Sequence, residues 1–157
     1  MEKLTPCLWF DTEGEDAAKF YASIFPSSRI VETAYYGPAG PRPEGTVMTV
    51  DFELDGQRFI ALNGGPQFTF NEAISFQVNC ESQEEVDDYW SKLSEGGEQG
   101  PCGWLKDKFG VSWQIVPTVL PQLLTDPDRE KAQRVMAEML KMGKIEIPEL
   151  ERAAAAH

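Results

Sequence analysis

The same order of elements is written twice in this chain, and that repetition limits the folds open to it more than any single motif. When Glu15 is set on Glu84, two amphipathic helices coincide: Ala17 falls on Val86, Phe20 on Tyr89, Tyr21 on Trp90 and Ile24 on Leu93. With one residue of slack, Leu8-Trp9-Phe10-Asp11 lies on Phe76-Gln77-Val78-Asn79. Two hairpins also coincide, Gly56 with Gly110, Phe59 with Trp113 and Ala61 with Ile115. Each half therefore reads strand, helix, strand, strand, strand, although the second is shorter and its middle strand leaves no clear pattern. One such half cannot bury both faces of its sheet, so pairing of the halves is expected. The fold class is α+β: two tandem βαβββ modules, residues 1–70 and 71–117, then a C-terminal helical extension, residues 118–157.

The elements follow from local pattern. Leu4 to Phe10 alternates as a strand, with Pro6 marking an edge or the first residues. Asp11 and Thr12 are cap-type residues before a helix from Gly14 to Ile24, which Pro26 stops. Strands are expected over Arg29–Tyr36, Thr46–Leu54 and Gln57–Asn63. The Gly- and Pro-rich run Gly37–Gly45 reads as a surface loop, and Asp55-Gly56 as a two-residue hairpin turn. The second half has a strand from Ile74 to Asn79, then a helix to Leu93 opened by the capping box of Ser82 with Glu85. Cys102 to Pro117 is a hairpin turning at Lys108-Phe109-Gly110. Its second strand points Ser112 and Gln114 one way and Val111, Trp113 and Ile115 the other. Beyond Pro117, Leu120, Leu123 and Leu124 suggest a helical turn. Asp126-Pro127-Asp128 caps a longer helix to about Met142, and Pro148 begins a last one carrying Leu150. Met136, Met139 and Met142 are expected to pack against the domain or a partner subunit.

Charge and cysteine usage exclude several function classes. A net charge of -12 argues against nucleic acid or an anionic membrane as partner, because both need clustered Lys and Arg. No run of about 18 apolar residues is present, so no membrane span is expected. The N-terminus lacks the pattern of a signal peptide, and three cysteines at unrelated spacings form no disulfide framework or zinc motif. A cytoplasmic location is the expectation. The single histidine, His157, closes the chain after four alanines, so no Ser-His-Asp or Cys-His arrangement is available in the body.

With two βαβββ halves and the phrases TPCLWFD, FYASIFP, LNGGP and CGWLKDKFGVSWQIVP in that order, the chain resembles the vicinal-oxygen-chelate superfamily. Within it, the chain is similar to the PhnB-like group that carries the label 3-demethylubiquinone-9 3-methyltransferase domain. The segment DPDREKAQRVMAEMLKMGKIEI adds to that resemblance. The resemblance implies paired modules forming an open, eight-stranded, barrel-like sheet around a cavity, and assembly as a homodimer. Its enzymes include glyoxalase I, extradiol dioxygenases and fosfomycin-resistance proteins. They mostly hold a divalent metal with His and Glu near the start of each half's first strand and in its last strand, where the ion stabilises a developing anion. This chain departs from that pattern. It has Thr5, Pro6 and Cys7 at the first position, Ile74 and Ser75 at the second, Ile60 near the third, and Gln114 where relatives carry Glu. No family-type metal site and no cofactor is expected; a divalent ion on Asp51 or Asp107 is the disfavoured alternative. The label's methyl donor usually sits on a glycine-rich strand-to-helix turn, whereas Gly96-Gly97 and Gly100 to Gly103 follow a helix and precede a hairpin.

If the helices cover one face of the sheet, Leu8, Phe10, Phe76, Val78, Trp113 and Ile115 turn toward them. The opposite face then carries Cys7, Trp9, Thr49, Asp51, Gln77, Ser112 and Gln114, a mixed polar and aromatic set suited to a ligand cavity. Asn63 and Trp104 join the ligand-binding candidates, Trp104 as a stacking surface and Asn63 as an amide before two glycines. Cys7 reads as an inert buried thiol, and Asp107-Lys108 as hairpin-end electrostatics. The function expected is metal-independent binding of a small molecule. The alternatives are a lyase, isomerase or transferase using Gln114, Asp51 and Cys7 with a hydrated divalent ion, and a dimeric protein-interaction module.

Overall fold

The computed structural model describes residues 2–156, so the expectation placed on His157 lies outside the described residues. The turn at Asp55-Gly56 organises the first half. Both residues take positive φ, 49° and 83°, the mirror-image turn whose twist suits a hairpin, and Gly56 adopts it without a Cβ penalty. The turn joins β3 (Val47–Leu54) to β4 (Gln57–Asn63). β1 (Cys7–Phe10) pairs parallel with β4, and β2 (Arg29–Tyr35) antiparallel with β3. The order in this four-stranded sheet is β1-β4-β3-β2. The parallel β1–β4 pair needs a crossover, and α1 (Gly14–Ile24) lies within it. The apolar stripe of α1 buries Ala17, Ala18 and Tyr21 on the sheet face carrying Val50, Phe52, Phe59 and Ala61. Tyr21 stacks on Phe52 at 6.3 Å, and Phe52 on Phe59 at 5.5 Å. Each such large apolar side chain removed from water stabilises by about 1.5–3 kcal/mol.

The second half repeats the plan. β5 (Ser75–Cys80) pairs parallel with β8 (Ser112–Pro117), which pairs antiparallel with β7 (Trp104–Lys106). A two-residue β6 (Glu98–Gln99) completes a four-stranded sheet of order β5-β8-β7-β6. α2 (Gln83–Ser94) buries Val86, Trp90 and Leu93, and the Ser82 hydroxyl accepts from the Glu85 N–H at 3.2 Å. The βαβββ order is thus present in both halves. Among the described residues no strand pairing joins one sheet to the other. The chain divides into two compact units, Met1–Phe70 and Asn71–His157.

Three helices follow β8: α3 (Val119–Leu124), α4 (Arg129–Met139) and α5 (Ile147–Ala155). Val116, Leu120, Val135, Ile145 and Leu150 form their buried cluster, with Met139 and Met142 packed against it. The amide of Gln83 holds the extension by its backbone: Nε2 donates to the Ile145 carbonyl at 3.0 Å, and Oε1 accepts from the Ile147 N–H at 2.6 Å. Lys144 pairs with Asp87 at 2.8 Å. The N–H groups of Cys102 and Gly103 donate to the carbonyls of Met142 and Gly143, both at 2.8 Å. At Gly103, φ is 84° and an added Cβ would stand 2.8 Å from the Ile115 carbonyl oxygen, so this close approach requires glycine.

Several sequence expectations change in detail. β1 starts at Cys7 rather than Leu4, which is 83% exposed; the pairing begins where the Pro6 carbonyl accepts from the Ile60 N–H. β5 starts at Ser75, leaving Ile74 exposed. Asp11 and Thr12 do not cap α1. Its N-cap is Glu13 without a side-chain bond, and the Gly14 N–H donates instead to Asn63 Oδ1 at 2.7 Å. α4 ends at Met139, so Met142 lies beyond it. The alignment of β1 on β5 also moves. Leu8 sits opposite Ala61 and Val78 opposite Ile115, so Leu8 corresponds to Val78, and Cys7 to Gln77.

Candidate functional site

Strand alternation fixes which side chains share the face away from each helix. In the first unit, Cys7, Ile60, Asp51 and Glu32 form one cross-strand row, and Trp9, Leu62, Thr49 and Ala34 the next. The row below is ionic. Arg58 reaches Asp51 at 3.3 Å and Glu53 at 3.9 Å, while Arg29 reaches Glu53 at 3.1 Å. Asp51 is thus engaged by a guanidinium rather than left open for a cation. Trp9 donates its indole N–H to the Gly65 carbonyl at 2.9 Å and meets Phe68 edge-on at 5.0 Å. Asn63 is buried, and all its polar groups serve the fold: its Nδ2 donates to the Val47 carbonyl at 3.2 Å and its own carbonyl accepts from the Tyr36 hydroxyl at 2.6 Å. Thr49 is half-buried, whereas Cys7 is exposed at the start of β1 rather than buried as expected; partial desolvation still pushes its thiol above the ordinary value of 9.0, away from a nucleophilic thiolate.

In the second unit the corresponding rows are Ser75–Ser112–Lys106–Glu98 and Gln77–Gln114–Trp104. Gln114 donates from Nε2 to Ser75 Oγ at 2.9 Å, and Gln77 to Asn79 Oδ1 at 3.0 Å. Beside them opens a pocket of about 170 Å³ whose lining includes Glu72, Glu98, Pro101, Trp104, Lys106 and Ser112. The Lys106 ammonium contacts the Glu72 carboxylate. Their hydrogen bond holds Glu72 below, and Lys106 above, the usual range, so both are charged at neutral pH. Ser112 is 2% exposed. Its Oγ is the one buried side-chain oxygen or nitrogen among the described residues without a hydrogen-bond partner. Leaving such a hydroxyl unmade costs about 1–3 kcal/mol, which a ligand group can recover.

The hairpin that carries this pocket is fastened by Asp107, which is 3% exposed. Its Oδ1 accepts from the N–H groups of Phe109 at 2.8 Å and Val111 at 3.1 Å, and its Oδ2 from the Trp113 indole at 2.8 Å. The carboxylate therefore serves the turn and is not open to a metal. Metal positions implied by resemblance fare no better. Cys7 stands beside Ile60, which has no donor, and Gln114 offers an amide already bonded to Ser75. Among the described residues no group of three or more His, Cys, Asp or Glu is placed to hold a metal ion. The positions implied by the resemblance thus carry neither the His nor the Glu of a family-type site.

Of the eight ligand-binding candidates, Trp104 lines the pocket, with Gln77 and Gln114 in the adjoining row. Cys7, Trp9, Thr49, Asp51 and Asn63 belong to the first unit. Glu72, Glu98 and Lys106 were not among the candidates. Ser112 could be placed on the face from its alternation, but its isolation from any partner could not.

The order β1-β4-β3-β2 repeated as β5-β8-β7-β6, with residues 2–116 matching the family model described as 3-demethylubiquinone-9 3-methyltransferase, decides the family. The chain belongs to it. The 3-demethylubiquinone-9 3-methyltransferase family match stops short of α3–α5. Among solved structures, the PhnB protein of Bacillus cereus is 38% identical, with a TM-score of 0.67, covering 74% of this chain and 100% of that one. A Pseudomonas aeruginosa protein is 19% identical with a TM-score of 0.61 over 74% and 98% of the two chains. The fosfomycin resistance protein FosX of Mesorhizobium loti is 12% identical with a TM-score of 0.57 over 80% and 99% of the two chains. At those identities the last two show the fold alone; the family match and the PhnB protein place the chain in the vicinal-oxygen-chelate superfamily. No curated protein matches the chain. Among the described residues, no helix is long and apolar enough to cross a membrane.

Proposed function

We propose that this chain binds a small organic molecule on the β6–β7–β8 face of its second unit, without a metal ion. The observation that carries the reading is Ser112: a buried hydroxyl without a partner, on the lining of a pocket shared with Trp104 and a charged pair. A few polar groups converging beside an aromatic wall are what orient a ligand. The methyl transfer in the family's description is not carried over. Gly96-Gly97 follows α2 and leads into antiparallel strands, not from a strand into a helix around a nucleotide-type cofactor. Association of two chains is a further part of the proposal, supported by the resemblance and checked by mass in solution from light scattering; a monomer mass would remove it.

Two measurements on the full chain test the central reading. Fragment binding followed by saturation-transfer NMR is expected for the wild type and lost in Glu98→Trp, which blocks the pocket from an exposed position. Thermal unfolding should stay within a few degrees of wild type, because exposed sites change stability little. Fragment binding unchanged by Glu98→Trp would contradict the pocket. Metal analysis of tag-free protein is expected to find no stoichiometric Zn, Ni, Mn or Fe. A stoichiometric metal lost on substitution of Gln114 or Asp51 would overturn the metal-independent reading.

A further inference from the structure

We propose that the Ser112 pocket selects a small organic cation, an ammonium group on an aromatic or apolar body, over an anion of similar size. The inference rests on the binding reading above and gives that ligand a chemical class.

Charge around the pocket sets the sign. Lys106 is the one cation on its lining, and it is already in contact with Glu72. Glu98 stands directly across the β6–β7 ladder from Lys106 and also lines the pocket. Two carboxylates against one ammonium leave a surplus negative charge. An incoming carboxylate or phosphate would have to displace Glu72 from Lys106 and then meet Glu98. A cation needs no displacement.

The buried hydroxyl supplies the second, independent observation. Ser112 Oγ lacks a partner and lies opposite Lys106 on β8. A hydroxyl oxygen accepts through two lone pairs, and a primary ammonium offers three donors, so one N–H can satisfy Ser112 and leave two donors for other partners. Trp104 lines the same pocket, and an indole face attracts a cation. The volume, about 170 Å³, leaves room for a head group with a short stem.

Three probes of nearly equal size test the class: benzylamine, benzyl alcohol and benzoate, titrated into the full chain at neutral pH. Benzylamine is expected to bind about 1.5- to fivefold more tightly than benzyl alcohol, the range for solvated charge pairs, and benzoate most weakly. Glu98→Gln should reduce the preference for benzylamine over benzyl alcohol severalfold. Ser112→Ala should weaken benzylamine about fivefold, the loss of one hydrogen bond. Benzoate binding as tightly as benzylamine would overturn the cation class and leave the binding pocket standing. Failure of all three probes, or binding that survives Glu98→Trp unchanged, would overturn both. A soaked crystal with only water at Ser112 and benzylamine elsewhere would also overturn the inference.

Discussion

Asn63 is the side chain on which sequence and structure differ most usefully. Its place before Gly64-Gly65 suggests a ligand contact, yet its amide caps α1 across 49 residues of chain and also ties to β3. Asn63→Ala should therefore lower stability by about 2 kcal/mol, one cap and one buried hydrogen bond, as read from urea unfolding. Unchanged stability would mean that the Gly14 N–H finds another partner. Cys80 gives a second residue-scale test. It is buried, and desolvation first, then Glu85 and Glu81, push its thiol up to about 12. Thiol labelling of the native protein at pH 8 should modify exposed Cys7 and spare Cys80 until the chain unfolds. The unfolded thiol ionises near its ordinary 9.0 and the folded one near 12, so the unfolded state loses its proton first. The stability contributed by protonated Cys80 is whole below pH 9 and is lost as pH rises toward 12. Rapid native labelling of Cys80 would contradict its burial.

At the scale of elements, the C-terminal extension is part of the second unit's core rather than an appendage. Removing everything after Thr125 would strip Val135, Ile145 and Leu150 from Val116 and Leu120, and leave the Cys102 and Gly103 N–H groups without their carbonyls. At about 1.5–3 kcal/mol for each large apolar side chain, the truncated chain should lose most of its cooperative unfolding. A truncated chain with an unchanged melting midpoint would show that α4 and α5 contribute no core. The milder Gln83→Ala, which removes two backbone contacts, should cost about 1–3 kcal/mol by the same measurement. Element order was legible because periodicity and turn chemistry are local: α1 and β4 have the expected bounds, and the Ser82 cap is made. The register of β5 was not. A slip of two residues leaves every side chain on its own face, so alternation cannot distinguish Phe76 from Val78 as the counterpart of Leu8.

For the molecule as a whole, the duplicated plan could be read from matched helices and hairpin glycines, and the sheet orders repeat it. The site was only partly legible. Alternation put Ser112, Gln114 and Gln77 on one face, but β6 is two residues long and carries no periodic signal. Only its pairing brings Glu98 across from Lys106, and only the chain between the two units' sheets brings Glu72 to the same lysine. The pocket's charge therefore comes from tertiary placement rather than motif. The most direct test of the account is the amide spectrum of isotopically labelled protein titrated with benzylamine. Saturable shifts are expected at Trp104, Lys106 and Ser112, with the Arg29, Glu53 and Arg58 ladder of the first unit unmoved. Shifts confined to the first unit, or none at saturating probe, would contradict it.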